Sequence, residues 1–142
     1  MQLLDDNFFI AGQITADDFA KAKAKGITLI INNRPDHEET GILPVAEAKK
    51  LAEQHSIDYL HLPMANGQPL PEDLIPTMQL ALGQQKIGKV LAHCRTGTRS
   101  SFLWGIIQIM NGEKTSDEVI HLGAQAGINL SGFAPVLQNM EN

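Results

Sequence analysis

Two kinds of hydrophobic pattern alternate along the chain. Short runs that are almost wholly apolar predict strands, and longer segments whose apolar residues recur at helical spacing predict helices. The strands are predicted at residues 7–11, 27–33, 57–62 and 89–93. The run Ile27–Asn33 is almost continuously apolar, which is typical of a central strand buried on both faces. The alternation predicts a three-layer αβα fold with a mainly parallel sheet of about four strands.

Capping signals place the helices between these strands. Helices are predicted over residues 15–26, 44–55, 100–110 and 116–126, and from Pro71 onward. Thr15 with Asp18, and Thr115 with Glu118, have the spacing of a capping box at a helix start. Pro76 is expected to distort the first turns of the third helix, because proline lacks the backbone N–H that a helix interior uses.

The composition fits one domain that covers residues 1–142. The chain is 43% hydrophobic, carries a formal net charge of −5 and contains one cysteine, so an internal disulfide is impossible. The negative charge argues against nucleic acid or an anionic membrane as a partner. The apolar stretches are too short to span a bilayer and the N-terminus lacks the pattern of a signal peptide, so we expect a cytoplasmic protein.

The segment Leu91–Ser101 carries the chemistry. It places Cys94 at the end of a predicted buried strand, followed by a turn with Gly97, then Arg99, and then an apolar helix. A cysteine reacts as a thiolate, and a helix N-terminus with a nearby arginine lowers its pKa. Backbone N–H groups of residues 95–100 are expected to converge on an anion above the sulfur, because such donors are unpaired at a helix start.

Each remaining residue of this loop has an expected role. Arg99 can offer two parallel N–H groups to a tetrahedral anion, which a lysine cannot do. The hydroxyl of Ser100 is a candidate donor to the sulfur. His93 is expected to be buried and to orient the loop through a backbone hydrogen bond. The rest of the anion-binding loop is Arg95, Thr96, Gly97 and Thr98.

This loop resembles the signature of two enzyme families. His93 and Cys94, with Gly97, a following arginine and Ser100, resemble the active-site loop of cysteine-dependent tyrosine and dual-specificity phosphatases. Those phosphatases have one residue more between cysteine and arginine than the four found here. In its length the loop is more similar to that of single-domain rhodaneses, which are sulfurtransferases.

Over nearly its full length the chain resembles the bacterial beta-lactamase hydrolase-like protein, phosphatase-like domain family. The segments that carry this resemblance are Ile10–Thr15, Ile30–Glu38, His61–Met64, the Cys94 loop and Ala126–Gly132. The resemblance implies a phosphatase-like αβα fold with Cys94 as nucleophile and Arg99 as oxyanion clamp. In that family the domain is sometimes fused to a metallo-beta-lactamase-like sulfur dioxygenase.

The rim of the pocket contains further candidates. Related phosphatases supply an acidic residue from the loop after the third strand, and this chain has Asn66 there. Glu72 and Asp73 follow and can replace that acid if their loop folds inward, although they also suit the first turn of a helix. Arg34, close to Asp36 and Glu38, is expected on the same rim, where it either binds substrate or forms an ion pair.

Three functions remain open at this point. The first is a hydrolase of phosphomonoesters that passes through phosphocysteine, the second is a sulfurtransferase that passes through a cysteine persulfide, and the third is a non-catalytic anion-binding module. The expected partner is a small phosphate- or sulfur-containing anion or a phosphorylated protein. No cofactor is expected, and the five histidines show no metal-ligand spacing.

Overall fold

The computed structural model describes residues 1–84 and 88–141, which form one five-stranded sheet with helices on both faces. The strands are β1 (Gln2–Asp5), β2 (Phe8–Ala11), β3 (Ile27–Asn32), β4 (Asp58–His61) and β5 (Lys89–His93). The helices are α1 (Asp18–Ala24), α2 (Val45–Gln54), α3 (Leu74–Gln84), α4 (Thr98–Met110), α5 (Ser116–Gln125) and α6 (Ala134–Met140), with a 3-10 turn at Ser131–Phe133.

The strand order is β1-β2-β5-β3-β4, and the predicted αβα fold is confirmed. Strand β5 lies in the centre, parallel to β2 on one side and to β3 on the other. The register pairs the last residue of β5, His93, with Ala11 of β2 and with Asn32 of β3. The carboxyl ends of three strands therefore meet at one edge of the sheet.

The sheet has one strand more than the sequence pattern predicts. Strand β1 pairs antiparallel with β2 and forms an edge of the sheet. Leu4 is its one buried residue, so its sequence shows no continuous apolar run and no alternation of buried positions. Helix α6 is also absent from the elements that the pattern predicts.

The central strands are buried on both faces, as the sequence predicts. In β5, Val90 and Ala92 belong to the core beneath helices α3 to α6, whereas Leu91 belongs to the core beneath α1 and α2. In β3, Ile31 and Ile30 divide between the same two cores. Burial on both sides fixes the direction of β5 and hence the position of the residue that follows it.

The helix starts agree with the capping signals in part. The capping box of Thr115 and Glu118 is present with both hydrogen bonds. At Thr15 one half is present, because Asp18 accepts the backbone N–H of Thr15 at 2.7 Å, but the helix itself begins at Asp18. Helix α3 begins at Leu74, so the expected distortion by Pro76 is wrong: this proline lies in the first turn, where backbone N–H groups have no partner within the helix.

The lengths of the helices bear on whether the chain could cross a membrane. No helix within residues 1–84 or 88–141 is long and apolar enough to cross a bilayer.

We predict opposite effects for two glycine substitutions. A Cβ at Gly12 would lie 2.8 Å from the carbonyl oxygen of Arg95, so Gly12→Ala should lower the free energy of unfolding by about 1–3 kcal/mol. Gly83 is exposed in helix α3, and a Cβ added there would have no atom of the described residues within 4 Å, so Gly83→Ala should raise this free energy by about 0.5–1 kcal/mol. Urea unfolding of both variants measures the difference, and equal effects would contradict the close approach at Gly12.

Candidate active site

Cys94 lies at the centre of the carboxyl edge of the sheet, directly after β5. Backbone hydrogen bonds from the neighbouring strands hold this point: Asn33 donates to the carbonyl of His93 at 2.8 Å, and Cys94 donates to the carbonyl of Ala11 at 3.4 Å. One residue further on, Gln13 donates to the carbonyl of Arg95 at 3.2 Å. Loops that follow β2 and β3 therefore flank the cysteine on both sides.

The sulfur of Cys94 is fully buried and surrounded by backbone N–H groups. The N–H of Gly97 donates to Sγ at 3.1 Å, and the N–H groups of Thr96, Arg99 and Ser100 also interact with it. Gly97 has a φ of 94°, a left-handed conformation that favours glycine and that curls the loop around the sulfur. Burial raises the pKa of the thiol, but the four N–H groups outweigh burial and the pKa of Cys94 is lowered.

Ser100 acts on the sulfur through its backbone and not through its hydroxyl. The Oγ of Ser100 donates to Oδ1 of Asn33 at 2.9 Å. The amide group of Asn33 donates in turn to the carbonyl of Leu62 at 2.9 Å, which leaves its oxygen facing Ser100. The expectation that the hydroxyl donates to Cys94 is therefore wrong in this structure, because Asn33 is the acceptor that the hydroxyl meets.

Arg99 is held in place by a carboxylate and a carbonyl. Its Nη1 donates to Oε2 of Glu38 at 2.9 Å and to the carbonyl of Met64 at 2.8 Å, and its Nη2 donates to Oε1 of Glu38 at 2.8 Å. A guanidinium has five N–H groups. The two without a partner among the described residues are Nε–H and one Nη2–H, which lie side by side on one edge.

Glu38 also receives a hydrogen bond from Arg34. The Nε of Arg34 donates to Oε1 of Glu38 at 2.6 Å, while its other nitrogens donate to Gln13 at 3.1 Å and to Glu39 at 2.9 Å. Arg34 is 3% exposed. Of the two roles that the sequence leaves open for Arg34, the structure shows the ion pair.

The carboxyl group of Glu38 is strongly acidic as a result. Hydrogen bonds from Arg99 have the largest effect and those from Arg34 add to it, so the pKa of Glu38 falls from its ordinary 4.5 to about 2 although partial burial opposes the change. The pair of Glu38 with Arg99 is the functional contact that sequence reasoning misses. Its signal is the pair of glutamates just after Arg34, at a strand end that borders the Cys94 loop.

The other rim candidates form no hydrogen bond with the Cys94 loop in residues 1–84 and 88–141. Asp36 accepts the backbone N–H of Val45 at 3.2 Å, so this carboxylate caps helix α2 instead of lining the pocket. Asn66, Glu72 and Asp73 are exposed, and their side chains make no hydrogen bond or ion pair within residues 1–84 and 88–141. Among these described residues none of the three shares a hydrogen bond with Arg99, as Met64 does, which weakens each as the acid that protonates a leaving group.

His93 is a neutral, buried residue. It is 1% exposed, and burial lowers its pKa to about 4 despite a hydrogen bond with the backbone of Cys94. Its Nδ1 has no hydrogen-bond partner in the part of the chain described. This environment agrees with a residue that orients the loop and not with a proton shuttle at neutral pH.

The remaining loop residues differ in exposure. Arg95 and Thr96 are exposed, and Oγ1 of Thr96 lies 3.1 Å from Oγ1 of Thr98. The guanidinium of Arg95 forms no hydrogen bond with the described residues, so its charge is available to solvent or ligand. No three His, Cys, Asp or Glu side chains are grouped as metal ligands in residues 1–84 and 88–141, and independence from metals stays a prediction.

Comparison with known proteins decides the family. The profile of the family described as "Beta-lactamase hydrolase-like protein, phosphatase-like domain" matches residues 1–112. The chain belongs to this family. A beta-lactamase hydrolase-like protein of Xylella fastidiosa is 33% identical over 133 residues, which are 92% of this chain and 30% of that protein. The chain thus spans about a third of the length of the curated relatives it matches.

Solved structures show the same fold. A phosphatase candidate from Neisseria meningitidis is 35% identical, with a TM-score of 0.85 and coverage of 98% of this chain and 96% of that one. The structure of Tk-PTP in its active form is 14% identical, with a TM-score of 0.76 and coverage of 99% and 95%. The fold is therefore that of the tyrosine and dual-specificity phosphatases, and the family supports an enzyme of phosphatase type.

We predict that Cys94 ionises more readily than an ordinary thiol. Because it is the one cysteine in the chain, the ultraviolet absorbance of its thiolate can be followed against pH with Cys94→Ser as the blank. The midpoint should lie below the usual value of about 8.5, since four N–H groups stabilise the anion. A midpoint at or above that value would mean that burial outweighs the donors.

We predict that Glu38 stabilises the fold in a pH-dependent way. Its pKa is depressed in the folded state, so its contribution is complete above about pH 4.5 and is lost as the pH falls toward 2. Denaturant unfolding should show wild type more stable than Glu38→Gln at neutral pH, with a difference that shrinks over this range. A difference that does not vary with pH would contradict the ion pairs with Arg34 and Arg99.

Proposed function

We propose that the chain is a cysteine-dependent phosphatase that hydrolyses phosphomonoesters through a phosphocysteine at Cys94. The thiolate attacks phosphorus, an S–P bond forms and the P–O bond to the alcohol or phenol breaks with its electron pair. Water then attacks phosphorus, the S–P bond breaks, and orthophosphate and the thiolate are released.

One observation carries this proposal: Arg99 keeps two N–H groups without a partner among the described residues and interacts with the sulfur of Cys94, which backbone N–H donors surround. Glu38 and Met64 occupy three N–H groups of Arg99, and the Nε–H and Nη2–H that remain have the parallel geometry that binds two oxygens of a tetrahedral anion. Donors that are fixed before the substrate arrives stabilise the charge that develops in the transition state. Glu38 supplies this fixation at the adjacent edge of the guanidinium, which Nη1 and Nη2 form.

The proposed enzyme acts without an efficient general acid. Asn66 replaces the acid of related phosphatases, and Glu72 and Asp73 are exposed and form no hydrogen bond with the catalytic loop in the described part of the chain. A leaving group that is not protonated must be a stable anion by itself. We therefore propose that aryl phosphates, or esters of comparably acidic alcohols, are better substrates than simple alkyl phosphates.

Sulfur transfer is the second candidate, and the length of the loop favours it. Four residues separate Cys94 from Arg99, and four backbone N–H groups of the loop already interact with the sulfur itself. Such a ring suits a small group such as one sulfur atom. The thiolate would attack the outer sulfur of a thiosulfate, release sulfite and form a persulfide, which a nucleophile such as cyanide would cleave to thiocyanate.

The two chemistries are separated by one pair of assays. We expect the purified protein to hydrolyse an aryl phosphate, Cys94→Ser to have no turnover, and Arg99→Lys to lose at least about 100-fold because it keeps the charge but not the fork. A parallel assay with thiosulfate and cyanide is the comparison. Thiocyanate formation without phosphate release would establish the second candidate, and loss of neither activity in Cys94→Ser would reject Cys94 as the nucleophile.

The partner follows from the same site. We propose that the ligand is a small phosphate-containing anion or a phosphorylated side chain, bound over Cys94 in the cytoplasm. Binding of orthophosphate to Cys94→Ser, with no turnover in wild type on any of these substrates, would instead support the non-catalytic anion-binding module.

A further inference from the structure

A cleft opens at the carboxyl edge of the sheet, where Cys94 also lies. This cleft, with a volume of about 340 Å³, lies between the loop after β2 and the loop before helix α2, and we call it the rim cleft. Its walls include Gln13, Ile14, Ala16, Leu43 and Glu47. The volume is at the lower end of the range for small-molecule pockets, about 300–1,000 Å³.

The rim cleft is joined to the catalytic loop through one residue. Gln13 lines the cleft, its backbone N–H donates to the carbonyl of Arg95 at 3.2 Å, and its side chain accepts from Arg34 at 3.1 Å. Arg95 follows Cys94 directly. The rim cleft therefore adjoins the catalytic loop through Gln13, on the side of β2.

Topology also connects the cleft with the site. Strand β5 lies between β2 and β3, so the loops that follow β2 and β3 stand on either side of Cys94, and the rim cleft is lined by the first residues after β2 and by residues at the start of helix α2. Ligands of parallel sheets bind beyond the carboxyl ends of the strands. A cleft of the same volume beside Tyr59 and Ala81 lies instead on the flank of β4.

The lining of the rim cleft defines the chemistry of its ligand. Ile42 and Leu43, both half-buried, supply apolar surface beside the buried Ile14. The side-chain amide of Gln13 is already engaged, because it donates to the carbonyl of Ile14 at 3.0 Å and accepts from Arg34 at 3.1 Å. Glu47 is the one charged residue among the described residues that line it. This lining favours an apolar group that is uncharged or carries an amine, and it disfavours a second anionic group.

We propose that the rim cleft binds the organic part of the phosphate ester and thereby selects esters whose leaving group is apolar and either neutral or cationic. This inference rests on the proposed phosphatase function. It assigns specificity to residues that take no part in the chemistry at Cys94.

The first experiment fills the cleft. Ala16 is exposed on its wall, so Ala16→Trp should raise KM for 1-naphthyl phosphate about tenfold, equivalent to about 1.4 kcal/mol, while the inhibition constant of orthophosphate changes less than about twofold. Ala81→Trp fills the cleft of equal volume on the flank of β4 and should change neither value. An unchanged KM in Ala16→Trp, or an equal loss for orthophosphate, would overturn the proposal.

The second experiment reverses the charge of the cleft and measures a preference between two substrates. General damage to the fold would lower the activity on both substrates and would not reverse this preference. Glu47→Lys should shift the ratio of kcat/KM for 4-carboxyphenyl phosphate over 4-(aminomethyl)phenyl phosphate about tenfold toward the carboxylate. Glu53→Lys is the control, because Glu53 is exposed on the same helix but lines a different cleft. The same ratio in Glu47→Lys and wild type would overturn the inference.

Different results would refute the phosphatase function and the role of the rim cleft in specificity. A wild-type protein that releases no phosphate from any aryl ester, and that orthophosphate does not bind, would refute the phosphatase function and with it the inference. A wild type that hydrolyses both aryl esters while Ala16→Trp and Glu47→Lys behave as wild type would refute the inference alone.

Discussion

The sulfur of Cys94 has no access to water, and the hydrogen-bond donors that surround it organise the carboxyl edge of the sheet. Cys94 is fully buried, so the N–H groups of the following loop and of the start of helix α4 replace its hydration. The loop can present them because Gly97 adopts a left-handed conformation and because Gly12 lets the backbone of Arg95 approach closely. Because β5 is buried between β2 and β3, the position of Cys94 directly after it is fixed.

Two buried cations impose the second constraint. Arg34 and Arg99 are both almost inaccessible, and a buried guanidinium is costly without a partner of opposite charge. Glu38 meets this need for both, with Glu39 as a further partner of Arg34. Because one carboxylate occupies the end of the Arg99 guanidinium, the orientation of this arginine depends on the loop after β3 and not on helix α4 alone. The ion pairs at the rim of the site thus join the loop after β3 to helix α4.

The sequence predicts what depends on local pattern and not what depends on distant pairing. The four parallel strands, the Cys94 loop and the Thr115 capping box are visible because each is encoded in neighbouring residues. Strand β1 is not predicted, because an edge strand with one buried residue shows no alternation of apolar and polar positions. The bond of Glu38 with Arg99 joins residues that are 61 positions apart, and spacing along the chain contains no information about it. The place of Asp36 away from the rim is equally hidden, since its contact with Val45 depends on how the intervening loop folds back.

The position of β5 has a consequence for how the protein is synthesised. Strands β1 and β2 pair with each other, as do β3 and β4, but the two pairs have no hydrogen-bonded contact until β5 is inserted between them. A growing chain that has produced only the first four strands therefore exposes two unpaired inner edges, a state that invites association with other chains. The same strand that closes the sheet carries Cys94 at its end. The N–H groups that lower the pKa of Cys94 are therefore assembled around its sulfur only in a chain whose sheet is already complete.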